Sequence, residues 1–241
     1  MGNLSVHNQA FHPIDLASVD HVLTTTRSVR LRLDFERAVP VALIKDALRI
    51  ALQAPTGANT QTWRFMVVTG AVKRRAIADY YRLAANDYVA GKTGLSRTGV
   101  TMMREYAATD LRQQQREAMM KSGGYLMENL ERAPVMVIPC IEGRFEHDDV
   151  FTQASMWGSI LPATWSLMLA LRARRLASAW TSLHLRYEQE VSALLGIPDT
   201  YTQAALLPVA WLTGGDLKPA KRLPVEEVTC WEHWGGHEPG A

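Results

Sequence analysis

The chain has 241 residues, 47% hydrophobic and 21% charged, ordinary proportions for one packed unit of α/β size. Its 26 basic and 24 acidic residues leave a formal net charge of +2 and form no basic stripe, which excludes nucleic acid as an expected partner. Cys140 and Cys230 stand far apart and form no CxxC pair, which excludes a disulfide framework and a zinc knuckle and suits a reducing compartment.

In chain order, Met1 to Ile14 is polar, carries His7, Asn8 and His12, and lacks the basic start and apolar core of a signal peptide, so export is not expected. Thr26-Arg27-Ser28-Val29-Arg30 follows, with two guanidinium groups and a hydroxyl in five residues. Arginine forks match phosphate oxygens two at a time, so this is a candidate anion site. The competing reading is a charged helix face shared with Arg32 and Arg37.

From Val41 to Ala54 the apolar residues recur at three- and four-residue spacing, with Lys45, Asp46 and Arg49 on the other side, which predicts an amphipathic helix. It stops at Ala54-Pro55-Thr56-Gly57-Ala58-Asn59, where proline, glycine and asparagine favour a loop. Small residues there permit close backbone approach, and Thr56, Asn59 and Gln61 can present hydroxyl and amide groups to a planar heterocycle. An ordinary polar connection is the alternative.

Trp63 to Val68 reads as a strand and Ala71 to Leu83 as a helix. Glycines interrupt Asn86 to Gly99, and Met102 to Met120, rich in Gln, Arg and Met, predicts a mostly exposed helix. Pro134 to Ile141 reads as a strand buried on both faces. His147-Asp148-Asp149 offers three metal-binding groups, but consecutive side chains rarely converge on one ion, and a solvated loop or helix cap is the simpler reading.

Phe151 to Ala173 is apolar nearly all round, which predicts a helix buried in a core or a subunit interface. Its most apolar part, Ile160 to Leu171, is about twelve residues against the ~20 that cross a bilayer, so no membrane span is expected. Leu176 to Leu183 and Ala204 to Leu212 read as strands, separated by a helix from Glu188 to Leu195 that stops at Gly196-Ile197-Pro198. In Lys218-Pro219-Ala220-Lys221-Arg222-Leu223-Pro224 a basic pair between prolines either closes on a phosphate or stays a solvated turn. Trp231 and Trp234 in an otherwise irregular tail suggest that the tail docks on something, such as a second subunit.

No GxSxG, HExxH, GxxxxGK or GxGxxG pattern is present, which argues against hydrolases, kinases and Rossmann dehydrogenases. No repeat or linker divides the sequence, so residues 1–241 are expected to form a single domain.

Taken in order, three segments resemble the nitroreductase family: Arg27-Ser28-Val29-Arg30, the stretch from Ala54 to Trp63, and Arg222 ahead of Pro224. The resemblance covers about residues 22–224, leaving 85–130 as a variable, lid-like insertion and 225–241 as a tail. It implies an α+β fold with a central mixed sheet flanked by helices, an intertwined homodimer around the 151–173 helix, and FMN in each of two interface sites. Carried over by motif, Arg27, Ser28 and Arg30 contact the FMN phosphate and ribityl chain, with Arg30 reaching toward the ring. Pro55, Thr56, Gly57, Asn59 and Gln61 approach from the partner subunit. Trp180, Thr181 and Ser182 lie beside the ring, and Arg222, with Lys221, reaches the phosphate. Three positions depart from the family pattern: Thr26, where many relatives have a basic residue, and Arg175 and Ala177, where glycines usually stand.

The activity implied is that of a cytoplasmic, FMN-dependent NAD(P)H oxidoreductase. NADPH or NADH delivers hydride to the flavin N5 and leaves, and a nitroaromatic or quinone takes its place. No catalytic side chain and no metal are required, and Arg30 has an electrostatic role at the ring. Met102, Met103, Met119, Met120 and Met127 either form an adaptable acceptor lid or pack ordinarily. The alternatives are a flavin carrier or sensor without turnover, reductive dehalogenation or flavin fragmentation within the same superfamily, and a structural dimer with an empty site.

Overall fold

The computed structural model describes residues 13–89 and 105–240. His7, Asn8, His12, Met102, Met103 and the glycines between 91 and 99 lie outside the described residues.

Helix α1, Leu16–Thr25, starts at Asp15, whose carboxylate accepts from the Ser18 amide. Strand β1 is the pair Leu33–Asp34. Helix α2, Val41–Ala51, buries Ile44, Ala47 and Ala51 and ends three residues before the sequence pattern suggested. The last residues instead make tighter bonds, from Gln53 N to Ile50 O and from Ala54 N to Ala51 O, because Pro55 disfavours helix in the residue before it.

Strand β2 is Trp63–Val68 and helix α3 is Ala71–Val89. The expected single helix from Met102 to Met120 is corrected. Residues 105–110 are not helical, and Asp110 caps a short α4, Leu111–Gln114, by accepting from the Arg112 amide at 2.7 Å. After a break at Gln115, α5 runs Arg116–Asn129. Met119 and Met120 are exposed, whereas Met127 packs on the core, so ordinary packing holds for that methionine.

Strand β3 is Val135–Glu142 and α6 is Val150–Ala173. Asp149 caps α6 through the Thr152 amide at 2.7 Å, which bears out the cap reading of His147-Asp148-Asp149. Among the described residues no acidic, His and Cys side chains cluster as a metal site. Strand β4, Leu176–Ser178, helix α7, Glu188–Leu195, and strands β5, Tyr201–Gln203, and β6, Leu207–Leu212, complete the order.

Strand β3 is the centre of the sheet. On one side it pairs with β2, from Trp63↔Ile141 to Val68↔Met136. On the other it pairs with β6, as Val135↔Val209 and Val137↔Leu207, and with β5, as Cys140↔Gln203. Strand β4 lies on the far side of β6, and β1 pairs with its end. Every pairing among the described residues is antiparallel, which corrects the expected mixed sheet. Strands β3 and β4 run in the same direction, joined by α6 as a crossover, but β6 lies between them, so no two neighbouring strands are parallel.

Seven successive residues of β3 are buried, and their alternation assigns two cores. Met136, Ile138 and Cys140 pack with Ile77 and Tyr81 of α3 and Leu126 of α5. Val135 and Val137 pack with Ile44 of α2 and Leu167 and Leu171 of α6. By length and composition α6 could cross a bilayer, but it is the core helix of this second layer. Burial pushes the Cys140 thiol up to about 12, which leaves it unreactive.

One buried polar side chain has a measurable consequence. His184 is fully buried in the turn Leu183–Tyr187, and neither ring nitrogen has a hydrogen-bond partner. Gln203 lies beside the ring and favours its protonation, but burial dominates and holds the pKa down to about 4. The unfolded chain takes up this proton near the ordinary value of 6.5, the folded chain only near 4, so acidification through that window favours unfolding. Urea denaturation should therefore show His184→Gln losing about 2 to 3 kcal/mol less stability than the parent between pH 7 and pH 4.5. Parallel losses would mean that other groups carry the pH dependence.

Candidate functional site

The site begins where α1 ends. Thr25 and Thr26 turn their hydroxyls back to donate to His21 O and Val22 O, and the chain leaves in extended form. It then runs along the segment that follows β4. Val29 N donates to Ser178 O at 2.8 Å, and Trp180 N donates to Ser28 Oγ at 2.9 Å. Ser28 is thus held against Trp180, 152 residues on in sequence, with Arg27 and Arg30 carried on the same segment.

The helix-face alternative for Arg27 to Arg37 fails, because Arg32 and Arg37 go elsewhere. Arg32 donates to carbonyls of the turn after β6, and Arg37 lies over the Trp211 ring at 3.8 Å. The strand expected from Leu176 to Leu183 is shorter: past Ser178 the pairing continues only as Ala179 N donating to Pro208 O at 3.3 Å and the bridge Thr181↔Leu206, while Ser178 O and Trp180 N face Val29 and Ser28 on the other edge.

Two residues here were not singled out from the sequence. Tyr81 on α3 is buried, and its hydroxyl accepts from Thr181 Oγ1 at 3.0 Å. Burial raises its pKa, opposed by the Thr181 hydrogen bond and by the charge of Arg30. Nothing in the periodicity of the Ala71 helix separates Tyr81 from a core tyrosine. Ser159 is the second, and its role emerges at the other loop.

Arg27 is half-buried, and its Nε and Nη2 are buried with no hydrogen-bond partner. Guanidinium nitrogens withdrawn from water without acceptors destabilise the fold. The donor set therefore suits an oxyanion, and a phosphate group fits it. The Ser28 hydroxyl, occupied as an acceptor by Trp180 N, keeps its own proton to donate, since the contact to Trp180 O is 3.5 Å.

The Pro55 to Gln61 loop is built differently. Gly57 N donates to Ser159 Oγ at 2.9 Å, and Ser159 in turn donates to Ser155 O at 2.7 Å, tying the loop to the middle of α6. The strain lies not at Gly57 but at Ala58, Asn59 and Gln61, with φ of 49°, 55° and 52°. Side chains disfavour this left-handed region, so such clusters mark positions held for a purpose. Gln61 donates from its amide to Thr56 Oγ1 and from Nε2 to Asn59 Oδ1, which locks the loop shape.

The structure does not bring all the expected residues together. Thr25 meets α6 at Arg172 and Gly57 meets it at Ser159, anchor points about 20 Å apart along the helix by its rise. Lys221 and Arg222 are exposed. Arg222 Nη1 donates to Lys221 O, and the same carbonyl accepts from Gln115 Nε2 between α4 and α5.

Comparison with known proteins bears on this arrangement. The model of the nitroreductase family matches residues 23–211. A chloronitrobenzene nitroreductase of Comamonas testosteroni is 36% identical over 67 residues, spanning 27% of this chain and 29% of that protein. A variant of the FMN- and NADPH-dependent nitroreductase NfnB from Sphigopyxis sp. strain HMH is 25% identical, with a TM-score of 0.63 over 88% of this chain and 98% of that one. Iodotyrosine deiodinase bound to FMN and 3-iodo-L-tyrosine is 20% identical, with a TM-score of 0.60 over 88% of this chain and 97% of that one.

The Ser28 contact makes a local prediction. Ser28→Ala leaves the Trp180 amide without its acceptor, and thermal unfolding should show a loss of about 1 to 2 kcal/mol. No change would mean that the Arg27 segment is not held by this bond.

Proposed function

The chain belongs to the nitroreductase family, and from that membership we propose that it passes electrons from NADPH or NADH to a nitroaromatic or quinone, one substrate leaving before the next enters. It is an NAD(P)H-dependent flavin oxidoreductase, and FMN is its cofactor. FMN supplies the hydride chemistry when bound, so the protein's part is to hold, orient and polarise.

The two buried, unpartnered nitrogens of Arg27 carry this reading, because its guanidinium is a ready counter-charge for the cofactor phosphate. Ser28 donates its hydroxyl beside it, and Arg222 with Lys221 closes on the same phosphate. Trp180, Thr181 and Ser182 border the ring, with Thr181 oriented by Tyr81. Arg30, whose charge is felt at Tyr81, supplies the positive potential that favours electron density on the pyrimidine edge of the ring.

Pro55, Thr56, Gly57, Asn59 and Gln61 complete the site from a second copy of the chain. Two anchor points on α6 support this: the end of α1 that precedes Arg27 is tied at Arg172 and the Pro55 loop at Ser159. The exposed Phe151 and Trp165 on the same helix give a homodimer apolar surface to cover. Free Cys140 and Cys230 suit the cytoplasm, where NAD(P)H is at hand.

An anaerobic visible spectrum tests the reading. Yellow protein should bleach with NADPH or NADH and recover with a nitroaromatic or a quinone. Yellow protein that never bleaches would indicate a carrier or sensor. Recovery with a halogenated phenol alone would indicate dehalogenation. Colourless protein that does not take up FMN would overturn the site.

Two variants separate the arginines. Arg27→Met should lower FMN affinity by about 10- to 100-fold, while leaving the flavin-free protein at least as stable, since it removes two buried donors that lack acceptors. Arg30→Ala should slow reduction more than it weakens FMN binding. If Arg30→Ala keeps both affinity and turnover, Arg30 has no part in the chemistry.

A further inference from the structure

A second basic site lies at the C-terminal end of α6. A cavity of about 400 Å³ is lined by Arg37, Arg172 and Arg175, by Trp211 and Leu212 at the end of β6, and by the turn Gly214 to Asp216. No residue assigned to the flavin lines it.

The charges do not balance. Asp216 is the one carboxylate in the lining, and its oxygens are already engaged. Oδ1 accepts from Leu217 N and Arg172 Nη2, and Oδ2 pairs with His21 Nε2 at 2.7 Å. Arg172 also donates from Nη2 to Thr25 Oγ1, yet its Nε is buried with no partner. Among the described residues no carboxylate pairs with Arg37 or Arg175. Three guanidinium groups against one carboxylate leave two positive charges uncompensated.

The walls are fixed in advance. Arg37 lies on the Trp211 ring, whose indole N–H donates to Ala38 O at 3.0 Å. Arg32 wraps the turn, donating from Nε to Thr213 O at 2.8 Å and from Nη2 to Gly215 O. Gly214 takes a φ of +72° there, with the Arg32 guanidinium against it.

Arg175 itself has a φ of +61°, a left-handed conformation in which glycine is unstrained and an arginine is not. Its backbone is held by Leu212 N donating to Arg175 O at 3.1 Å and by its own amide donating to Arg172 O at 3.0 Å. Those bonds need no side chain, so the fold alone does not call for arginine at this position. Arginine there adds a positive charge to the lining of the cavity.

We propose that this cavity binds a small molecule through a phosphate monoester, gripped by Arg37, Arg172 and Arg175. A phosphate monoester carries between one and a half and two negative charges at pH 7, which matches the two uncompensated positive charges better than a single carboxylate does. Arginine forks also match its oxygens in pairs. A cavity of this volume holds more than the bare ion, so part of the organic body lies inside with it.

The test uses the full chain saturated with FMN, so that the phosphate locus of the flavin site is filled. Isothermal titration with inorganic phosphate, AMP and citrate at constant ionic strength should show phosphate and AMP binding once per chain, with citrate weaker. Arg175→Gly and Arg37→Gln should each weaken AMP binding at least tenfold without changing the spectrum of bound FMN. Arg175→Gly should also raise the melting temperature, because it relieves the left-handed strain. Absence of binding above a chloride control, or unchanged AMP affinity in both variants, would overturn the proposal. So would citrate binding as tightly as phosphate, or loss of FMN together with AMP.

Discussion

Strand β3 is buried on both faces along nearly all its length, and that constraint organises the molecule. Such a strand needs an apolar layer on each side and paired neighbours along both edges. Helices α3 and α5 cover one face and α2 and α6 the other, while β2 takes one edge and β5 and β6 share the second. The division of the second edge between two short strands leaves residues 179–182 and 204–206 outside regular ladders. Their backbone groups are satisfied irregularly, and one of the donors, Trp180 N, is met by Ser28. The candidate site is therefore a product of how the sheet edge is completed.

Helix α6 has a second part in this scheme. Its inward face belongs to the core, and its ends and middle serve as anchor points for chain segments that carry polar groups. Ser159 anchors the strained Pro55 loop, and Arg172 anchors the end of α1 and the turn at Asp216. Because a packed helix is rigid, the distances between these anchors are fixed by its rise. The proposed assembly of two chains lets the Pro55 loop of one copy serve the Arg27 group of the other without either segment leaving its anchor.

What could be seen in the sequence followed from periodicity and from stop signals. Trp63 to Val68 and Glu188 to Leu195 were bounded by proline, glycine or a change of period, and both stand at those limits in the structure. The all-apolar Phe151 to Ala173 helix was equally plain. What stayed hidden were elements two or three residues long, β1 and β5, which exist because a neighbouring edge needs pairing rather than because their own residues prefer it. Strand direction was hidden for the same reason, since it depends on where a long connection returns. For the site, the types Arg27-Ser28-Arg30 spoke for themselves, but their partners did not. Tyr81 and Ser159 look like residues of ordinary helices, and only tertiary contact gives them a role.

The arginines sharpen the distinction between scaffold and site. Arg144 is clamped by Glu146 and Glu188, and Arg82 by Asp79 and Glu131, so these side chains spend their donors on fixing one segment to another. Such pairs near the surface add little net stability, and they leave no unmet demand. Arg27 and Arg172 are different, because each keeps a buried nitrogen without an acceptor although water and carboxylates were both available to evolution as solutions. Arg175 adds a strained backbone to an unpaired charge. Unsatisfied donors and left-handed side-chain residues both destabilise a fold, and at the α6 cavity the two coincide, in Arg172 and Arg175, with positive charge that no carboxylate balances, which is what argues for an anionic ligand there.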